Sequence, residues 1–276
     1  MNITRLLQKA TAQFRASQSP GGRRLSLTLF CDFDGPLVDV SCRYYETYKT
    51  ALYHTQQTFQ KQGLSVPLRV LSKAEFWAMK RSRTRDIEIA MKSGLEEEQV
   101  PFFLNYVQEI VNAADLLDLD RMQTSVNWSL ALLHSYGVKL VLVTLREEQQ
   151  VKRMLAQYGL TRLFADIYGS GDRHTAYQNN IDVKTALLKE AITEQGQISD
   201  HWLMVGDTEA DIVAAQRMSI PAIALTCGIR DEQYLKTYNP DYLCADLLST
   251  AHLLLEHYGQ PQPKTSNNYC FSSALT

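Results

Sequence analysis

From Val138 onward the chain repeats one pattern, an apolar run followed by a turn and an amphipathic stretch. VKLVLV leads into Glu147 to Tyr158, ADIYG into Val183 to Ala191, and WLMV into Glu209 to Met218; PAIAL follows near Leu225. A last short run, Tyr242 to Cys244, precedes a helical stretch from Ala245 to His257. Strands alternating with helices predict a parallel sheet with right-handed crossovers. The runs are apolar on consecutive residues, as strands covered by helices on both faces are. With Leu27 to Cys31 added, five or six strands are expected in one doubly wound α/β sheet.

The interval Val40 to Tyr136 is too long for an ordinary crossover and carries almost no strand signal. YYETYKTALYHTQQTFQKQ, KAEFWAMKR, TRDIEIAMKSG, PFFLNYVQEIVNAADLL and SVNWSLALLHSYG place apolar residues at helical spacing, with Gly63, Gly94 and Gly137 where helices would stop. An all-helical insert is therefore expected over residues 41–119, splitting a core domain into residues 25–40 and 120–258. Residues 1–24 form a basic N-terminal segment, read as an amphipathic helix packed on the domain and followed by the linker Ser19 to Gly22. A short organellar transit peptide is the alternative reading. The Pro-, Asn- and Ser-rich stretch 259–276 is expected to be a disordered tail.

Composition narrows the partners. Against 28 basic residues stand 30 acidic ones, for a net charge of -2, so no global field recommends nucleic acid or an acidic membrane. Cys31, Cys42, Cys227, Cys244 and Cys270 show no CxxC spacing and are odd in number. That argues against a disulfide framework or a zinc site and suits a reducing, cytoplasmic setting. No apolar run approaches the ~18 to 20 residues that span a bilayer. At 276 residues, 45% of them hydrophobic, the chain can bury a large core. Oligomeric state is not legible.

In open parallel sheets, ligands sit beyond the carboxyl ends of the strands. The first strand ends in Asp32 and Asp34 and turns at Gly35; the strand Val138 to Val143 ends in Thr144; WLMV runs into GDTEAD, Gly206 to Asp211. Lys184, at or near a helix start, can reach the same edge. Two ionised carboxylates at a buried strand end need a cation or a set of donors. Several aspartates, a hydroxyl and a lysine around one point make a hard-cation site with an anion clamp. Mg2+ is the natural ion, and without histidine or cysteine ligands zinc and copper are disfavoured.

These residues resemble the haloacid dehalogenase superfamily. DFDGPLVD, from Asp32 to Asp39, looks like its first motif, VTLR around Thr144 its second, Lys184 its third and GDTEAD its fourth. The resemblance covers about Leu25 to His257. It implies a Rossmann-like core with a helical cap inserted after the first motif, of the phosphoglycolate phosphatase and β-phosphoglucomutase-like branch. Asp32 would be the nucleophile and Asp34 the general acid and base. Thr144, the backbone amide of Leu145 and Lys184 would bind phosphate. Asp32, the backbone carbonyl of Asp34 and Asp207 would hold Mg2+, with Asp211 a ligand or an anchor behind it.

Asp34 speaks for phosphoryl chemistry, since dehalogenases of the superfamily lack that aspartate. Pro36, where many members carry Thr or Ser, and Thr185, where many carry Pro, depart from the pattern. Lys189 competes with Lys184 but lies a turn deeper in the helix, and Arg146 either edges the site or starts the next helix. In the insert, Lys80 to Asp86 (KRSRTRD) suggests that Arg81 and Arg85, sharing a helical face, bind a second anionic group of the substrate; a solvated basic face is the alternative. The implied activity is a Mg2+-dependent phosphatase for a small phosphorylated metabolite, phosphoglycolate leading. A β-phosphoglucomutase-like phosphomutase and a fold-retaining binding or regulatory protein are the alternatives.

Overall fold

In a computed structural model of the chain, which describes residues 26–172, 175–196 and 201–258, the strands are β1 (Leu27–Cys31), β2 (Val38–Asp39), β3 (Arg121–Met122), β4 (Lys139–Glu147), β5 (Asp166–Ser170), β6 (His201–Gly206), β7 (Ala222–Leu225) and β8 (Tyr242–Cys244). Six of them form one parallel sheet in the order β5-β4-β1-β6-β7-β8. Successive side chains of a strand point to opposite faces, and the two cores divide accordingly. Leu29, Leu140, Leu142, Leu203 and Val205 enter one, while Phe30, Val141, Val143 and Met204 enter the other. Burial on both faces is why these strands are apolar at consecutive positions.

Between β2 and β3 lie α1 (Ser41–Gln60), α2 (Lys73–Arg81), α3 (Asp86–Lys92), α4 (Val100–Ile110) and α5 (Ala114–Leu117). α1 buries Tyr44, Tyr48, Ala51, Leu52 and Thr55, a stripe at three-and-four spacing. Ser72 and Glu75 start α2 with a capping box. The remaining helices are α6 (Val126–Ser135), α7 (Glu148–Gln157), α8 (Thr175–Gln178), α9 (Ile181–Gln195), α10 (Glu209–Arg217), α11 (Glu232–Lys236) and α12 (Leu247–Tyr258). Tyr48, Phe76, Phe103 and Val107 of the helical segment join the same hydrophobic cluster as Leu29 and Leu142. No helix among the described residues is long and apolar enough to cross a membrane.

Several local expectations require correction. The interval Val40 to Tyr136 is not helical throughout: β3 pairs antiparallel with β2, Val38 opposite Met122 and Asp39 opposite Arg121. Two-residue strands are too short to show a period in sequence. PFFLNYVQEIVNAADLL breaks into α4 and α5. β4 runs on past Thr144 to Glu147 instead of stopping at Val143, with an irregularity against β5 between Thr144 and Glu147. The expected N-terminal helix and C-terminal tail lie outside the described residues.

Candidate active site

β1 sits where the strand order reverses, with β4 and β5 on one side and β6, β7 and β8 on the other. Such a switch point opens a crevice at the carboxyl ends of the strands. Asp32 is the first residue past β1, and its N–H donates to Val205 O at 2.9 Å, beside the turn into Gly206 and Asp207. On the other side Leu142 of β4 lies opposite Cys31, so Thr144 is two residues further along the neighbouring strand. Thr144 is buried, and Arg146 N–H donates to its Oγ1 at 3.2 Å. The β4 irregularity takes Leu145 and Arg146 out of one-to-one register with β5.

Asp32 and Asp211 meet on Lys184. Lys184 is the fourth residue of α9, which Asn180 caps by accepting from the N–H groups of Asp182 and Val183. Its Nζ lies 2.8 Å from Asp32 Oδ1 and 2.7 Å from Asp211 Oδ1. Lys189, one turn on, is exposed. Burial alone would lower the Lys184 ammonium, but Asp211 and Asp32 outweigh it and hold it above the usual lysine range. Asp211 Oδ2 accepts from Asp207 N–H, Thr208 N–H and Thr208 Oγ1, so this carboxylate also fixes the start of α10.

Asp207 completes the group. Carboxylate oxygens of Asp32, Asp207 and Asp211 lie within 4.8 Å of one another. Asp207 is fully buried; its Oδ2 accepts from Ile229 N–H at 2.5 Å, whereas Oδ1 has no hydrogen-bond partner among the described residues. Glycines make room for it. A Cβ on Gly35, whose φ is +95°, or on Gly228 would stand 2.0 Å from Asp207 Oδ2. Three carboxylates face one ammonium, leaving two negative charges in a buried site. Burial raises Asp207 well above the usual carboxylate range and pushes Asp32 up to about 7, with Lys184 pulling Asp32 the other way. An orphaned carboxylate oxygen, hard donors and a charge deficit of two fit a divalent cation such as Mg2+.

Asp34 enters a different network. Its Oδ2 lies 2.9 Å from Arg43 Nη2 and its Oδ1 3.2 Å from Arg146 Nη1. The same two guanidinium groups grip Asp120: Arg43 Nε at 3.0 Å from Oδ1, and Arg146 Nη2 against Oδ2. Arg146 is thus neither at the rim nor a helix start. Arg43 and Asp120 were invisible in the sequence because nothing local distinguishes them from the surface charges of amphipathic helices. Burial raises the Asp120 carboxyl above its ordinary range, although both arginines pull it down. Arg43 is held above the ordinary arginine value because Asp120 and Asp34 outweigh burial.

Pro36 finds its reason nearby. Phe33 O accepts from Leu37 and Val38 N–H, and Gly35 N–H donates to Val38 O. A proline between them interrupts none of these bonds and fixes φ in the turn.

Arg81 and Arg85 do not share a helical face. α2 ends at Arg81 and α3 begins at Asp86, because Arg83 takes a left-handed conformation with φ +62°. Arg85 is an exposed residue paired with Glu88 at 2.5 Å. Arg81 Nη2 donates to Thr226 O at 2.7 Å, beyond β7, while its buried Nε has no hydrogen-bond partner among the described residues. The turn between α2 and α3 docks on the sheet edge. Arg83 meets Glu209 at 2.9 Å, Arg230 meets Glu209 at 2.9 Å and also donates to Lys80 O, and buried Lys80 pairs with Asp86 at 2.8 Å beside the Tyr177 hydroxyl. Asp120 and Arg146 also line a groove of about 990 Å³ beside α7, but Asp32, Asp34 and Asp207 do not. Charge and strand placement, not cavity size, locate the site.

Comparison with known proteins identifies the family. Residues 29–225 match the family model described as haloacid dehalogenase-like hydrolase. Phosphoglycolate phosphatase of Aliivibrio fischeri is 32% identical over 123 residues, covering 45% of this chain and 52% of the relative. Pyrophosphatase PpaX of Oceanobacillus iheyensis is 30% identical over 115 residues, covering 42% and 51%. The chain spans about half the length of these curated relatives. A haloacid dehalogenase-like family protein from Streptococcus pneumoniae shares the fold with a TM-score of 0.58 at 20% identity, over 83% of this chain and 99% of that one.

Proposed function

The chain belongs to the haloacid dehalogenase-like hydrolases, and on that premise we propose that it is a Mg2+-dependent phosphatase that hydrolyses a small phosphomonoester through an aspartyl-phosphate on Asp32. The observation that carries this reading is the charge deficit around Asp32: three buried carboxylates lie close together, one lysine pairs with Asp32 and Asp211 only, and Asp207 Oδ1 has no hydrogen-bond partner among the described residues. Phosphate and a divalent cation together would complete that arrangement.

Among the described residues, both polar contacts of the Asp32 side chain fall on Oδ1, from Lys184 Nζ and Phe33 N–H, so Oδ2 is the oxygen available for attack. It attacks phosphorus in line with the departing oxygen, and Asp34 protonates that oxygen as the P–O bond breaks. Water then loses a proton to Asp34 and attacks the same phosphorus, releasing inorganic phosphate and restoring Asp32. Thr144 Oγ1 and the Leu145 amide donate to phosphate oxygens, and Lys184 offsets their charge. Asp32, the Asp34 carbonyl and Asp207 would hold the metal, with Asp211 behind; bound there, it neutralises developing charge on the phosphoryl oxygens.

Phosphoglycolate leads as substrate because several relatives bear the name phosphoglycolate phosphatase. Arg81, with its unpartnered Nε, remains the candidate for the second anionic group; Arg85, engaged at the surface, does not. Release of inorganic phosphate from p-nitrophenyl phosphate and a phosphometabolite panel tests the reading. Mg2+-dependent release that EDTA and Asp32→Asn abolish is expected. No release from any compound would favour the binding-protein alternative.

A further inference from the structure

Four charged side chains close a ring, two of whose members, Arg43 and Asp120, lie outside the four sequence motifs. Arg43 and Arg146 each touch both Asp34 and Asp120, at 2.9, 3.0 and 3.2 Å for the first three contacts, with Arg146 to Asp120 the fourth. All four are buried, and no other carboxylate approaches either guanidinium within ion-pair distance among the described residues. The charges balance, two against two. A buried balanced set with fixed forks holds geometry better than a single exposed pair, because each guanidinium fixes two oxygens from one plane.

The ring members come from separate places. Arg43 is the third residue of α1, where the chain enters the helical segment; Asp120 directly precedes β3, where it returns. β2 and β3, which flank those points, pair with each other, and Gln123 Nε2 donates to Gly35 O at 3.1 Å. Arg146 belongs to β4, two residues beyond Thr144. Oδ2 of Asp34 is thereby tied to the entry connection of the helical segment through Arg43 and Oδ1 to the phosphate-side strand through Arg146, while Asp120 on the return connection reaches Asp34 only through those two arginines.

We propose that Arg43, Asp120 and Arg146 are positioning residues that aim the Asp34 carboxyl at the leaving-group oxygen, with Asp120 holding the two guanidinium groups in place. This rests on the proposed acid and base role of Asp34. Asp120 touches no reacting atom; it acts through the arginines. Without it, Arg146 keeps Asp34 as its one carboxylate partner and can rotate about it, while Arg43, still donating to Asn112 Oδ1 at 2.8 Å and Val111 O at 3.4 Å, loses the contact that orients its Nε, and the aim of Asp34 is loosened. Small errors in the placement of a catalytic group have large kinetic effects.

Leaving-group dependence tests this. A p-nitrophenolate ion departs with little help from a proton, whereas the alkoxides of phosphoglycolate and glycerol 2-phosphate depend on one. kcat/KM is the quantity to compare, since it covers only steps through alcohol release. Asp34→Asn serves as the reference and is expected to lower kcat/KM for the alkyl esters far more than for p-nitrophenyl phosphate. Asp120→Asn and Arg146→Lys, both close in volume to the originals, are expected to shift the alkyl-to-aryl ratio in the same direction by about tenfold or more, the aryl ester reporting that the protein is folded. On the Asp34→Asn background, either change should shift the ratio no further, as for residues acting through one group.

Equal losses on both esters, or effects that multiply on the Asp34→Asn background, would overturn the positioning role while leaving the phosphatase reading intact. Equal losses in Asp34→Asn itself would overturn the acid and base role, and the ring proposal with it. Absence of wild-type hydrolysis of either alkyl ester would overturn both.

Discussion

At the scale of the residue, the proposed Mg2+ site makes Asp207 the side chain whose state should depend most on a cation. It is buried, among the described residues it has no ion pair and its Oδ1 no hydrogen-bond partner, and Asp211 and Asp32 add repulsion. Mg2+ binding should therefore stabilise the folded chain by mass action, about 2.7 kcal/mol at a hundredfold excess over Kd. The expected outcome is a thermal midpoint raised by several degrees on adding Mg2+, with the rise lost in Asp207→Asn. An Asp207→Asn protein that responds to Mg2+ like the wild type would contradict the assignment. Asp32, Asp34, Lys184 and Asp207 were legible because the strand-end and helix-start positions of an α/β sheet are readable from sequence. Arg43, Asp120 and the role of Arg146 were not, because their meaning lies in contacts across 77 and 26 positions.

Secondary-structure elements explain where the sequence misled. KRSRTRD carries helix-compatible residues, yet Arg83 at φ +62° ends one helix before the next begins, so Arg81 and Arg85 diverge. A left-handed non-glycine has no sequence mark of its own. That turn carries the junction between the helical segment and the sheet, and the Asp86 ion pair predicts that the junction weakens in acid. Burial alone would raise Asp86, but its ion pair and hydrogen bond with Lys80 and the Tyr177 hydroxyl hold it below the usual aspartate range. A depressed carboxylate stabilises the fold above about pH 4, its unfolded value, and that contribution disappears as pH falls through the folded value. Thermal midpoints measured from pH 6 downward should therefore decline less steeply below about pH 4 in Asp86→Asn than in the wild type. Identical acid limbs would show that the junction does not depend on this charge.

For the whole molecule, one parallel sheet with a core on each face brings Asp32, Thr144 and Asp207 together from three strands. The helical segment shares the core on one of those faces. The doubly wound sheet was legible because doubly buried strands write themselves as consecutive apolar residues. The β2 and β3 pairing was not, since two residues leave no period, although it ties together both connections of the helical segment. If Asp32 accepts the phosphoryl group, the phosphorylated chain can be trapped. In Asp34→Asn, p-nitrophenolate leaves without an acid but water lacks its base, so the intermediate should accumulate. Incubated with Mg2+ and ³²P-labelled p-nitrophenyl phosphate and quenched in acid, that variant should retain label approaching one phosphoryl group per chain, released by hydroxylamine and absent when Asp32→Asn is added. Phosphate release by the wild type with no trapped label, or label that survives the loss of Asp32, would contradict the account.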